Sequence, residues 1–218
     1  MIQGQDRAVK QFTSAWERRA LHHAWLIAGP RGVGKASFAR AAATRVLADA
    51  AGPASEASGL EVPADHRIAK LIEAGSHPDL RLLERLPRER AEGLARNITV
   101  DQVREVGGLF DLTPALSDWR VVVIDCADDL EKSAANALLK MLEEPPANCL
   151  FLLVSHAPGR LLPTIRSRCR RLNFQGLGDD VLASILEQAL PGKSVAERER
   201  AIAFAAGSAG RALALADL

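Results

Sequence analysis

The chain has 218 residues, with 28 Lys plus Arg against 27 Asp plus Glu, a formal charge of +1. That balance excludes the strong positive field of a protein that coats nucleic acid, although a local basic patch is still allowed. Apolar residues at 48% exclude wholesale disorder, and aromatics at 4% with no Tyr argue against a base-stacking platform and leave the core to Ala, Leu, Val and Ile.

Residues 5–20 carry Ala8, Val9, Phe12, Trp16 and Ala20 at helical spacing. A strand-length apolar run, Ala24 to Ala28, ends in Gly29-Pro30, and an Ala-rich helix is expected over 34–50. Residues 51–64 are small, Pro- and Gly-containing and without period, which reads as a loop. A short helix over 65–74, a strand over 79–83 and a charged, exposed loop over 86–97 follow. Thr99 and Gln102 have capping-box spacing for a helix running to Phe110. Val121 to Ile124 are all β-branched and suit a strand buried on both faces. A helix over 133–144 is stopped by Pro145-Pro146, and Cys149 to Ser155 is another buried strand. A short helix (161–168) and a short strand (171–174) precede three helices at 179–190, 194–206 and 208–218. Alternating strands and helices predict an α/β fold with a parallel sheet, residues 1–175, followed by a small all-helical domain, residues 176–218.

Gly29-Pro-Arg31-Gly32-Val-Gly34-Lys35 fits GxxxxGK between a predicted strand and a predicted helix, the context a phosphate loop requires. Its glycines let backbone N–H groups turn around phosphate oxygens, and the helix N-terminus adds its dipole. The residue after Lys35 is Ala36, where a Ser or Thr hydroxyl would ligate Mg²⁺, and Ser37 is one residue, about 100° of helix, too late. Val121-Val-Val-Ile-Asp125 has the form of a Walker B strand delivering a carboxylate. An ATPase of this type places Glu next; here it is Cys126, and a thiol with a pKa near 8.5 is a poor base at neutral pH. Asp128 and Asp129 read as a solvated loop or a helix cap rather than a substitute base. His77 reads as a turn or packing residue, and His22 and His23 as structural residues in the neighbourhood of a nucleotide base. The cysteines Cys126, Cys149 and Cys169 form no CxxC pair, so neither zinc nor a disulfide framework is expected, and the setting reads as reducing and cytoplasmic. The polar N-terminus is no signal peptide, and no apolar run has the 18 or so residues of a membrane span.

Ser133-Ala-Ala-Asn-Ala-Leu-Leu-Lys-Met-Leu-Glu-Glu-Pro-Pro146, Ser167-Arg168-Cys169, His77-Pro-Asp-Leu80 and Val100-Asp-Gln-Val-Arg104 resemble the bacterial DNA polymerase III clamp-loader subunits of the AAA+ superfamily. The resemblance covers roughly residues 2–215. It implies a three-layer P-loop domain, a helical lid, and a third, collar domain that is expected to be missing because the sequence stops at Leu218. It implies Arg168 as an arginine finger acting in trans, Ser155 as sensor 1 and Arg211 as the sensor 2 arginine. On their own residues, Arg168 is equally a surface Arg in a basic stretch and Arg211 a solvated helix residue. Ala36 and Cys126 point to the non-hydrolysing delta-prime branch rather than the gamma/tau motors, with Gly29, Arg31, Gly32, Gly34, Lys35, Asp125, Ser155 and Arg211 as a degraded site that could hold ATP or ADP. The family's four-cysteine zinc module has no counterpart in residues 48–76, so no zinc is expected. The partners implied are gamma/tau, delta, the sliding clamp and primer–template DNA. An active motor ATPase and a small-molecule kinase are the competing readings.

Overall fold

In the computed structural model, residues 2–53, 59–88 and 92–217 are described. The expected loops at 51–64 and 86–97 lie partly outside these residues, as does Leu218. The chain runs α1 (Asp6–Glu17), β1 (Ala24–Ala28), α2 (Lys35–Ala51), α3 (Arg67–Glu73), β2 (Leu80–Leu83), α4 (Val100–Asp111), β3 (Arg120–Ile124), α5 (Lys132–Glu143), β4 (Cys149–Ser155), α6 (Pro163–Arg168), β5 (Arg170–Asn173), α7 (Asp179–Ala189), α8 (Val195–Ala205) and α9 (Ala209–Ala216).

The strands form one parallel sheet in the order β2-β3-β4-β1-β5. Strands β1, β3 and β4 are buried along their whole length, which is why they read as continuous apolar runs rather than alternating ones. Their alternate residues feed two cores. Trp25, Ile27, Val121, Val123, Leu150 and Leu152 pack on one face with Phe12 of α1 and Phe38 of α2. Leu26, Val122, Ile124, Phe151 and Leu153 pack on the other with Val103, Leu138 and Ile165 from α4, α5 and α6. Each such Leu, Ile or Val contributes about 1.5–3 kcal/mol when fully buried. Phe12 meets Trp25 and Phe38 edge-on, at 5.3 and 5.7 Å between ring centroids. Helices α7, α8 and α9 surround a separate cluster of Leu182, Leu186, Ala201, Ala205 and Ala212.

The capping signals act as their chemistry requires. The Thr99 N–H donates to Gln102 Oε1 at 3.0 Å, and the Gln102 N–H donates to Thr99 Oγ1. A second box, Ser194 with Glu197, starts α8. The widest boundary difference is at α1, predicted to residue 20 and ending at Glu17. Arg19 takes a left-handed φ of 53°, and the N–H groups of Arg19 and Ala20 donate to Trp16 O and Ala15 O, both at 2.9 Å. That is a Schellman cap, built here without the usual glycine. Among the described residues, no helix is long and apolar enough to cross a membrane.

Candidate functional site: a phosphate-loop corner and an arginine edge

A parallel sheet brings all its carboxyl ends to one edge, where α/β folds place their ligand sites. Ala28 pairs with Ser155 across β1 and β4, and Ile124 with Leu153 across β3 and β4. This register gathers the loop after β1, Asp125 after β3, and Ser155 and His156 at the end of β4. The Gly29 N–H donates to Ser155 O at 3.3 Å and ties the loop to β4.

Lys35 opens α2 and is 2% exposed. Its ammonium donates to the carbonyls of Gly29, at 2.7 Å, and Pro30. Burial lowers its pKa, against the opposing pull of Cys126, Asp128 and Asp125. Gly34 is the helix N-cap with φ +93°, and Gly32 has φ +73°. The start of α9 leans on the same loop. The Gly210 N–H donates to Gly32 O at 3.0 Å, and a Cβ at Gly32 would lie 2.2 Å from Ser208 Oγ. Gly32, Lys35, His156, Leu177, Ala209 and Leu213 border a cleft of about 370 Å³ between the loop and α9. Arg31 and Arg211 are exposed, and the Arg211 N–H donates to Ser208 Oγ. Ser208 and Gly210 were missed in the sequence reading; the small residues of Gly207-Ser-Ala-Gly210 are the signal that a backbone must come close there.

Across the corner, Asp128 is a hub. Its carboxylate accepts from Ser155 Oγ at 2.7 Å, from the N–H groups of His156 and Ala157 at 2.5 and 3.3 Å, and from the Cys126 thiol at 2.8 Å. Burial alone would raise its pKa; the Cys126, His156, Ser155 and Ala157 hydrogen bonds outweigh that and hold it below the ordinary value. The expectation of a solvated carboxylate is therefore corrected. The 3-10 turn Ala127–Asp129 folds Asp128 back onto the end of β4, and Asp129 pairs with Arg85 at 3.1 Å. Cys126 is pushed up to about 12 by burial and by the neighbouring carboxylate, so its thiol stays protonated. Ser155 is fully buried, and its hydroxyl is committed to Asp128.

Arg168 closes α6, on the lip before the edge strand β5. Its guanidinium is half-exposed, bonded to Glu143 at 2.7 Å and to Thr164 O at 3.0 Å. Arg166, Arg170 and Arg171 are exposed beside it.

A family model described as DNA polymerase III, delta subunit, matches residues 4–178. The chain belongs to this DNA polymerase III delta family. It is 39% identical over 194 residues, 87% of its length, to DNA polymerase III subunit delta' of Pseudomonas aeruginosa, of which it spans 55%. It is 35% identical to the delta' subunit of Bacillus subtilis, matching over 79% of this chain and 48% of that protein. The chain thus spans about half the length of these relatives. Among solved structures, a DNA polymerase III gamma subunit-related protein of Thermotoga maritima superposes with a TM-score of 0.58 at 18% identity, over 95% of this chain and 58% of that one. The RuvB Holliday junction branch migration motor of the same organism gives 0.57 at 18%, over 98% and 61%. These likenesses show the AAA+ fold.

With that fold established, the corner can be tested against a magnesium–ATP complex, and the residues do not fit one poised for hydrolysis. Ala36 offers no metal-ligating oxygen, and the side chain after Asp125 is a protonated thiol already bonded to Asp128. The groups that could still meet phosphate are the loop glycines and Lys35. The remaining histidines lie elsewhere. His22 and His23 stand at the amino end of β1, a strand length of about 16 Å from the loop, which corrects their expected place near a base. The rings stack with centroids 4.3 Å apart, and a His23 ring nitrogen meets Leu142 O. His77 is buried in the turn before β2, where its Nδ1 accepts from the Asp79 N–H at 3.1 Å.

Proposed function

We propose that this member of the delta family is the delta-prime stator of the DNA polymerase III clamp loader, assembling with gamma/tau and delta subunits to place the sliding clamp on primer–template DNA. In this reading residues 1–175 form the P-loop domain and 176–218 the helical lid. Arg168 reaches into the ATP site of a neighbouring motor subunit, and the chain hydrolyses no ATP itself. The observation that carries the reading is the contrast at Asp125. The strand that should deliver a base to the attacking water is followed by a thiol held protonated by burial and Asp128. Arg168, by contrast, is half-exposed at an edge, where a guanidinium can neutralise charge on a phosphoryl group in transit. ATP or ADP, if held at Gly29, Arg31, Gly32, Gly34 and Lys35, stays intact; Asp125, Ser155 and Arg211 complete that site.

The test is a phosphate-release assay on the chain alone and on an assembly reconstituted with delta and motor subunits. The chain alone should show no turnover above a Lys35→Ala control. In the assembly, Arg168→Ala should slow the ATP site it faces by ~10³–10⁵, the range for arginine fingers in GTPases. Turnover by the isolated chain that Lys35→Ala abolishes would instead make it a motor, a reading favoured only by Lys35 and Asp125 being in place. An unchanged rate in the assembly with Arg168→Ala would remove the finger.

A further inference from the structure

Cys126, Asp128 and His156 meet beside the phosphate loop. One ligand atom from each, the sulfur, a carboxylate oxygen and an imidazole nitrogen, all lie within 4.8 Å of one another. They come from two strand ends: β3 leads into Cys126 and the turn carrying Asp128, and β4 leads into His156. A second observation points to a ligand. The Nδ1 atom of His156 is shut off from solvent and has no hydrogen-bond partner among the described residues, which is costly unless something fills that coordination.

We propose that Cys126, Asp128 and His156 bind a thiophilic divalent cation, Zn²⁺, in the corner where a hydrolysing relative would need Mg²⁺. The donor set decides between the metals. Magnesium demands an octahedron of oxygens, whereas sulfur with imidazole nitrogen and one carboxylate is a zinc set. Metal–ligand bonds of about 2.0–2.3 Å put tetrahedral ligands about 3.5 Å apart, so the three groups need close by only about an ångström. The sulfur and the carboxylate are already 2.8 Å apart. On binding, the bond from the thiol hydrogen to Asp128 breaks, a sulfur–zinc bond forms, and the proton leaves to solvent. Asp128 keeps its bond from Ser155 through the other oxygen. Solvent takes the fourth position. Lys35 and Arg31 place positive charge near His156, which the carboxylates of Asp128 and Asp125 oppose, and the Lys35 ammonium is turned to the loop carbonyls. Cysteine spacing does not reveal this site, because Cys126 and His156 are 156 − 126 = 30 residues apart in the sequence and only strand pairing unites them. The proposal does not depend on the clamp-loader reading.

The purified chain, stripped with chelator and kept reduced, is titrated with Co²⁺. The expected result is a near-ultraviolet thiolate-to-cobalt band that saturates at one ion per chain and is bleached by added Zn²⁺. Cys126→Ala should abolish the band and Cys169→Ala leave it. His156→Gln should weaken affinity by more than the roughly 10–100-fold that loss of an outer-shell partner costs. It also decides the matter independently if Cys126→Ala does not fold. No thiolate band, or a band lost in Cys169→Ala and kept in Cys126→Ala, overturns the proposal.

Discussion

The phosphate-loop corner and the Arg168 edge are both built from residues that carry chemistry in this fold, yet they are satisfied in opposite ways. In the corner most polar groups answer one another, His156 Nδ1 excepted. Lys35 donates to Gly29 and Pro30, Ser155 and Cys126 donate to Asp128, and α9 closes on Gly32. At the edge, Arg168 has one carboxylate partner, Glu143, and both side chains are substantially open to water. A buried group that loses its internal partner is left with its full desolvation cost, whereas an exposed ion pair is worth little and exchanges readily. The corner is thus a framework, and the edge is where another molecule can compete.

The sharpest way to break this contrast is at Asp128. Asp128→Ala removes the acceptor from Ser155, Cys126 and the N–H groups of His156 and Ala157. A loss of about 3 kcal/mol is expected, seen as a fall in Tm of roughly 6–12 °C for a chain of this size. A change within error would mean that the hub contributes nothing and the corner is not a framework.

The glycines of the loop come next, and they can be set against each other. Gly32→Ala meets Ser208 Oγ at 2.2 Å and the Gly210 N at 3.1 Å in addition to its positive φ. Gly34→Ala has an equally unfavourable φ but nothing within 4 Å. The left-handed backbone alone costs about 1–2 kcal/mol, so Gly32→Ala should destabilise by that amount plus the cost of prising α9 away. Denaturant titrations of the pair would show equal losses only if α9 does not rest on the loop.

Acid should act more mildly. His77 and His23 are both held below the ordinary value of 6.5, chiefly by burial; Asp79 raises His77 while Arg67 lowers it, and His22 lowers His23 against its bond to the Leu142 carbonyl. A depressed folded-state pKa gives stability that is present above 6.5 and lost as pH falls through the folded value. Tm should therefore decline as pH is taken below about 6.5. His77→Asn, which keeps an acceptor for the Asp79 N–H in an Asx-type turn, should flatten that decline. An unchanged slope would assign the acid sensitivity to other groups.

Much of the fold was legible because its signals are local. The all-apolar β3 and β4, the stop at Pro145-Pro146 and the Thr99–Gln102 box each act within a few residues. The loop was legible because GxxxxGK needs only a preceding strand and a following helix. The role of Asp128 was not legible: its partners at the end of β4 and just past it lie 27 to 29 positions away and reach it only through strand pairing. Ser208 and Gly210 were missed for the same reason, since their contact with Gly32 depends on where the helical group comes to rest. The placement of His22 and His23 failed on direction: their position next to β1 was right, but they stand at its other end.

The smallest expected effect sharpens the contrast from the exposed side. Glu143→Gln removes the carboxylate that holds Arg168 but keeps the size of the side chain. With the pair 35% and 42% exposed, the cost to stability should be only about 0–1 kcal/mol, and less at high salt. Arg168 then keeps only its bond to Thr164 O and is freer to turn outward. If the edge is where a neighbour's ATP site receives the guanidinium, the reconstituted assembly should run at least as fast with Glu143→Gln as without it, while Arg168→Ala slows it. A Glu143→Gln assembly as slow as the Arg168→Ala one would mean that Glu143 positions the guanidinium for its neighbour. The ion pair would then belong to the working geometry of the edge, and the line between framework and free edge would have to be drawn beyond Arg168.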